Sequence, residues 1–385
     1  MVTRGLNTGH SQSLLRTRLI NKLYEINWLL PTLIGLVGLV GVVMIYAATD
    51  GVWRYGAMQH VVRIAVGMLA MLAIAIIDIR IWYRLAYPAY FIALLLLIGV
   101  ELVGITVNGS QRWLNLGFMR LQPSEIMKPA IVLALARYYH DLADWKISHV
   151  MGLLGALFLL ILPMGLILNQ PDLGTTLLLG ATGVAMLFLA GISWRVIGLA
   201  SIFAVVTIPL FFKFGLKPYQ QERILTFLDS SRDPTGASYH ITQSKIALGS
   251  GGVSGKGFMR GTQRQGEYVP ENRTDFIFTV IGEEFGLLGG LFTMGLYMAV
   301  IAVCIWISLQ CKALFSKLLV LGLTTTFTLY IFINLGMVMG LAPVVGVPLP
   351  LISYGGTVIL AVMGGFGLIL SAHLHRNNEL PRSES

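Results

Sequence analysis

Apolar runs of about twenty residues recur along almost the whole chain, each the length that crosses the ~30 Å hydrocarbon core of a bilayer as a helix. They predict helices near 28–48, 57–78, 86–104, 123–141, 148–168, 173–190, 195–213, 274–308, 315–340 and 350–373. The pattern breaks once: from Tyr219 to Phe278 the chain is polar, charged and rich in glycine. So long a connection without obvious secondary structure is uncommon unless it is functional or disordered, and this one lacks the composition of disorder. The chemistry is therefore placed there. The expected architecture is an all-α polytopic integral membrane protein of about ten transmembrane helices. A tail spans 1–27, the ten-helix membrane domain 28–373 with a large extracytoplasmic loop at 215–273 between helices 7 and 8, and a second tail 374–385.

Ten spans put both termini on one side, and Lys and Arg in short connections select that side. Arg4, Arg16, Arg18, Lys22, Arg80, Arg84, Arg137, Lys146, Arg195, Lys312, Lys317, Arg376 and Arg382 share one face, against Arg54, Arg112 and Arg120 on the other. Both termini are expected in the cytoplasm, with the long loop and the short connection around Trp113 outside. The polar segment before the first run is long and that run can span, so it reads as a retained helix rather than a cleavable leader.

Composition agrees with this pattern. Of 385 residues, 56% are hydrophobic and 12% charged, against roughly 25% charged in soluble domains. The net charge of +9 is explained by cytoplasmic cations that set topology and meet anionic headgroups, so no nucleic-acid partner is called for. The external loop is more informative: nine Lys or Arg lie from Lys213 to Arg273, which suits an anionic ligand, although a merely solvated loop could look similar. Cys304 and Cys311 stand about 10 Å apart along one predicted helix, beyond disulfide reach. The seven histidines show no zinc spacing, and no Ser-His-Asp arrangement can be picked out.

Ionisable groups inside spans are costly and usually face a protein cavity. Glu125 and Lys128 lie three apart at the start of the fourth helix and are neighbours on one face. A structural ion pair is the simplest role for them. Arg63 and Asp172 fall at similar depth, and Asp172 also suits an N-cap. Together the four charges predict a hydrated cavity open outward, which a proton or ion pathway would also use. In the eighth helix Asp275, Thr279, Gly282 and Gly286 share one narrow face that lines either a cavity or a close helix contact. Asp275 could be a capping carboxylate, whereas Glu283 and Glu284, deeper in the helix, need partners. Gly249, Gly251, Gly252, Gly255 and Gly257 surround Lys256 in a run whose N–H groups could approach phosphate or simply form a flexible turn. The spacing is not that of a P-loop.

Six segments carry a resemblance: SQRWLNLG at 110–117, QPSEIMK at 122–128, QPDLGT at 170–175, DPTGASYHITQSKIALGSGGVSGKG at 233–257, YVPENRTDFIFTVIGEEFG at 268–286 and PLPLISYGG at 348–356. In this order they resemble the SEDS family (shape, elongation, division and sporulation), its rod-shape branch more than its division branch. Val269 stands where relatives usually carry leucine, and the LDSSRDP segment is slightly longer than usual.

The resemblance implies a peptidoglycan glycosyltransferase in the cytoplasmic (inner) membrane that polymerises lipid II into glycan strands on the outer face, for elongation and rod shape. Lipid II and the growing lipid-linked glycan are the implied ligands. A class B penicillin-binding protein transpeptidase and other elongation-complex membrane proteins are the implied partners. It also implies Asp275 as catalytic base, Trp113 of the RW pair beside Arg112, and Glu125, Lys128 and Asp172 as polar cavity residues. Basic side chains must hold the pyrophosphate leaving group, and the candidates are Arg223, Lys245, Lys256, Arg264 and Arg273. A divalent cation, Mg²⁺ or Mn²⁺, bound mainly by substrate phosphates would leave no dense protein motif. A lipid II flippase and a non-catalytic scaffold are the alternative readings.

Overall fold

The computed structural model describes residues 22–107, 110–115, 117, 120–143, 150–215, 217–229, 237–262 and 273–381. Arg4, Arg16, Arg18, Lys146, Arg264, Val269, Glu271 and Arg382 lie outside them. Helix is found at all ten expected positions: α1 (Leu29–Ala48), α2 (Met58–Ile76), α3 (Ile79–Val103), α4 (Pro123–Asp141), α5 (Val150–Asn169), α6 (Leu173–Leu189), α7 (Trp194–Phe214), α10 (Ile277–Gln310), α11 (Leu314–Val338) and α12 (Gly356–Leu374). Seven of these, among the described residues, are long and apolar enough to cross a membrane: α1, α2, α3, α5, α10, α11 and α12. α4 is not among them, because its sequence carries Glu125, Lys128, Arg137 and Asp141. It is instead the most enclosed helix, buried along nearly all its length and packed by α3, α5, α6, α11 and α12.

Small residues let the helices approach closely. Gly67 of α2 faces Met363 of α12, and Gly367 of α12 faces Ile74 of α2. α1 is held to the segment before α12 in the same way, since a Cβ on Gly41 would stand 2.6 Å from the Leu351 carbonyl. His60 of α2 meets that carbonyl at 3.0 Å.

The structure departs from the sequence expectation in five places. α10 starts at Ile277, three residues after the predicted 274, so Asp275 stands before the helix rather than in it. α3 starts at Ile79, seven residues before the predicted 86: Asp78 caps it by accepting from Arg80 N at 2.9 Å, and polar Tyr83 and Arg84 had masked its first turns. α12 starts at Gly356, six residues after the predicted 350, because Pro348 and Pro350 hold the preceding stretch out of helix. The connection around Trp113 is a small antiparallel sheet, β1 (Ile105–Val107), β2 (Ser110–Asn115) and β3 (Arg120–Leu121), in the order β1-β2-β3. The long polar stretch contains two helices, α8 (Pro218–Leu228) and α9 (Ala237–Ser250). α9 lies against α10 and α11 through Ser244, whose hydroxyl is 2.9 Å from Thr279 Oγ1 and donates to the Val338 carbonyl at 2.9 Å. That contact takes up the small, polar face of α10.

Candidate active site

Five of the six motif segments meet around one cavity in the bundle. In QPSEIMK, Pro123 occupies the first turn of α4, where its missing N–H is no loss. This start places Glu125 and Lys128 on one inward face, each 3% exposed. Lys128 Nζ donates to Glu125 Oε1 at 2.6 Å. Tyr330, from α11, donates to Glu125 Oε2 and accepts from Lys128 Nζ, and the ammonium also lies 4.5 Å from the Tyr330 ring centroid. The three groups form a closed set in which one hydroxyl serves both charges.

In QPDLGT, Asp172 caps α6, accepting from Thr175 N at 3.1 Å through Oδ1. Its other oxygen accepts from Gln122 Nε2 at 3.2 Å. Capping and cavity lining are thus compatible roles for this 2% exposed carboxylate. Arg112, on β2, donates to the carbonyls of Gln170, at 3.2 Å, and Pro171, with Nη1 3.9 Å from Asp172 Oδ1. The sheet therefore carries Arg112 and its neighbour Trp113 to the rim of the bundle.

Asp275 lies just before α10, whose N-cap is Phe276. Its backbone is fixed from behind at three consecutive carbonyls. Tyr354 N donates to Arg273 O at 2.9 Å, Ser353 Oγ to Thr274 O at 2.5 Å, and Asn334 Nδ2 to Asp275 O at 2.7 Å. The donors come from PLPLISYGG and from α11, so the start of α10 is joined at the aspartate to α11 and to the segment before α12.

Arg112, Trp113, Glu125, Lys128, Asp172 and Asp275 line one cavity of about 180 Å³. A second chamber of about 530 Å³ adjoins it, sharing Trp113, Tyr354 and Gly355 and adding Arg63 and Arg120. Arg63 Nη2 donates to Tyr354 OH at 3.0 Å, and the guanidinium lies 4.1 Å from that ring centroid, while Nη1 is buried with no partner among the described residues. From this chamber, through shared Thr357 and Leu360, an apolar groove of about 430 Å³ runs past Ile74, Trp82, Ala89 and Leu133.

The remaining expected phosphate ligands lie elsewhere. Lys256 Nζ is 2.8 Å from Glu283 Oε1. Arg273 Nε donates to the Ala48 carbonyl at the end of α1 at 3.2 Å, and Lys245 lies against Gly340 at the end of α11. Arg223 is on α8, with its side chain outside the described set. Sequence reasoning missed Gln122, Tyr330, Asn334, Ser353 and Tyr354, and it placed Arg120 only as a topological charge. A signal was available for α11, where Thr326, Tyr330 and Asn334 recur every four residues and form a polar stripe.

The fold and cavity define a polytopic helical membrane protein whose charged pocket is built from helix ends and two inserted loops. The chain belongs to the FtsW, RodA and SpoVE family of cell cycle proteins, which matches residues 21–378. It is 44% identical over 315 residues to the peptidoglycan glycosyltransferase MrdB of Escherichia coli (strain K12), covering 82% of this chain and 84% of that one. Its identity to the probable peptidoglycan glycosyltransferase FtsW of Trichlorobacter lovleyi is 34% over 343 residues, covering 86% and 88%. Among solved structures it superposes on a chain from work on the structural coordination of polymerization and crosslinking by a peptidoglycan synthase complex, with a TM-score of 0.80, 31% identity and coverage of 92% and 99%. The rod shape determining protein RodA of Thermus thermophilus gives a TM-score of 0.68 at 28% identity, with coverage of 92% and 98%.

Proposed function

We propose that this protein is a peptidoglycan glycosyltransferase that polymerises lipid II, with Asp275 as the general base. The observation that carries the reading is the convergence of Asp275 with Arg112, Lys128 and Asp172 on one cavity, next to a chamber with two further arginines and an apolar groove. A substrate with sugar, diphosphate and polyprenyl parts matches that succession. The reaction joins a sugar 4-hydroxyl to the anomeric carbon of a second lipid-linked chain. The new C–O bond forms as the bond to the diphosphate oxygen breaks, inverting α to β, and the electron pair leaves with the lipid pyrophosphate.

Asp275 takes the hydroxyl proton as attack proceeds, a role typically worth ~10²- to 10⁴-fold. Fixing its backbone at three carbonyls holds the carboxylate in place as the nucleophile approaches. Arg63 and Arg120, which line the adjoining chamber, suit the developing charge on the diphosphate. The Glu125–Lys128–Tyr330 set is already internally satisfied, so it shapes the cavity wall rather than transferring the proton. A divalent cation, if used, would arrive on the phosphates and help neutralise them. In this reading the loop at 215–273 lies outside the inner membrane and the termini in the cytoplasm. The likeness to a chain of a polymerising and crosslinking complex supports a class B penicillin-binding protein as partner.

The test uses purified protein with labelled lipid II in liposomes. Asp275→Asn keeps size and hydrogen bonding but cannot accept the proton. The variant should fold and bind lipid II within about threefold of wild type, yet lose at least about 100-fold in polymerisation rate. Normal glycan synthesis by well-folded variant protein would remove the catalytic assignment. Movement of lipid II across the liposome by wild-type protein, without polymer, would replace this reading with transport.

A further inference from the structure

α10 is broken at Gly286, whose φ of 63° and ψ of −156° leave the helical region. In a continuous helix the carbonyls of Glu283 and Glu284 would accept from the N–H groups of Leu287 and Leu288, four residues on. Here the glycine-rich segment after α9 stands between them. Lys256 N and Gly257 N donate to the Glu283 and Glu284 carbonyls, each at 3.0 Å, and Leu287 N and Leu288 N donate to the Gly252 and Val253 carbonyls at 2.9 and 3.1 Å. Four backbone bonds to the segment thus replace two within the helix.

The acidic side chains at the break point the same way. Glu283 and Glu284 are 1% and 0% exposed. Lys256 Nζ reaches Glu283 Oε1 at 2.8 Å, Thr262 Oγ1 donates to the same oxygen at 3.2 Å, and Met259 N donates to Glu284 Oε2 at 3.0 Å. Contact is close enough that a Cβ on Gly255, which sits at φ 80°, would collide with the Glu284 carbonyl.

We infer that residues 252–257 are a clasp that holds the first turns of α10 at the angle that aims Asp275 into the cavity, and that Lys256 is a positioning residue acting through Glu283 rather than a phosphate ligand. The inference rests on the reading of Asp275 as the base. The groups the clasp engages are each other's natural helical partners. When the segment withdraws, rotation at Gly286 lets the carbonyls of Glu283 and Glu284 accept from Leu287 and Leu288 within the helix while the segment's own groups pass to water, so α10 has two self-consistent forms. They differ in the direction of the two turns that follow Asp275. Glycine at 286 is what permits the broken form, since an L side chain at positive φ is strained, whereas alanine favours the continuous one.

The experiment combines hydrogen exchange of the full-length protein with polymerisation kinetics on lipid II. In wild type the amides of Lys256 and Gly257 should exchange slowly. In Gly286→Ala and in Lys256→Met they should exchange at least about tenfold faster, kcat should fall at least about tenfold, and KM should stay within about threefold. Lys256→Arg should recover both readouts, because a guanidinium also reaches Glu283. A rise in KM with unchanged amide protection in Lys256→Met would mark the lysine as a substrate ligand and overturn the inference, as would released amides with an unchanged kcat. If Gly286→Ala fails to fold, the Lys256 pair of variants carries the test alone. Failure of the catalytic reading shows separately, as full activity in Asp275→Asn with the 256 and 257 amides still protected.

Discussion

Replacing Glu125 with glutamine would test the buried triad. The substitution preserves shape but leaves the Lys128 ammonium enclosed, with Tyr330 and a neutral amide in place of a carboxylate 2.6 Å away. Both side chains are 3% exposed, so water cannot substitute. Removing one member of such a pair costs about 3 to 5 kcal/mol, which is roughly two to three and a half powers of ten in the folding equilibrium and a large part of the ~5–15 kcal/mol that holds most proteins folded. Removing both charges together is different. Glu125→Met with Lys128→Met abolishes the desolvation of two ions as well as their attraction, an exchange that is often neutral, which leaves about 1 to 3 kcal/mol for the Tyr330 hydroxyl buried without a partner. Tyr330→Phe should cost a similar amount, because one partner is withdrawn from each charge. Unfolding of the purified protein in mixed micelles, followed by tryptophan fluorescence against added denaturing detergent, would rank these three variants and the single Lys128→Met. Stabilities of Glu125→Gln and Lys128→Met both within about 0.5 kcal/mol of wild type would refute the argument, and so would a double variant as unstable as either single one.

Three further outcomes are expected. Cysteines placed at the exposed positions Ser254 and Asn377 should respond oppositely to an impermeant maleimide on intact cells, the first labelled and the second not; the reverse would overturn the proposed orientation. His375, beyond the end of α12, is held below its usual value of 6.5 mainly by burial, with Lys22 and Arg80 adding to the effect and Asp78 opposing it. The unfolded chain therefore binds its proton more readily, the linked stability is full above about 6.5 and is lost as pH falls below it, and the drop in melting temperature from pH 7.5 to 5 should be smaller in His375→Gln. Burial likewise pushes the Cys311 thiol up to about 11, so the native protein should resist a membrane-permeant maleimide at pH 7.5 for hours and react once unfolded; labelling within minutes would contradict the burial.

Charge and chain order were legible in the sequence, while contact between distant uncharged groups was not. Glu125 with Lys128, and Asp172 as a helix cap, follow from local spacing, and the structure shows both. The depth of Arg63, Glu125, Lys128 and Asp172 predicted a shared cavity; the last three line one together with Asp275, and Arg63 falls in the adjoining chamber. Tyr330 was hidden because a tyrosine in an apolar run calls for a partner without saying which, and its link to Glu125 spans 205 positions. The pairing of Lys256 with Glu283 was hidden for a related reason. Glycines around a lysine suit phosphate and a broken helix equally well, and only the positions of Glu283 and Glu284 separate the two. The sheet around Trp113 escaped because its strands are short and sequence reasoning passed over Asn108-Gly109, a strong two-residue hairpin signal in the sequence between the first two of them.

The enclosure of α4 bears on how the chain is assembled during synthesis. A segment too polar to partition into lipid unaided has to enter beside neighbours that already shield it, and its third polar partner, Tyr330, is translated 202 residues after Lys128. Until that residue emerges, the nascent bundle carries an ion pair whose shell is incomplete, in a form that membrane proteases can recognise. Chains stopped at Lys312 should thus be degraded faster than full-length chains, and Glu125→Leu with Lys128→Leu should lengthen the lifetime of the stopped chains selectively. Synthesis of α11 then sets the moment at which α4 becomes a settled part of the membrane.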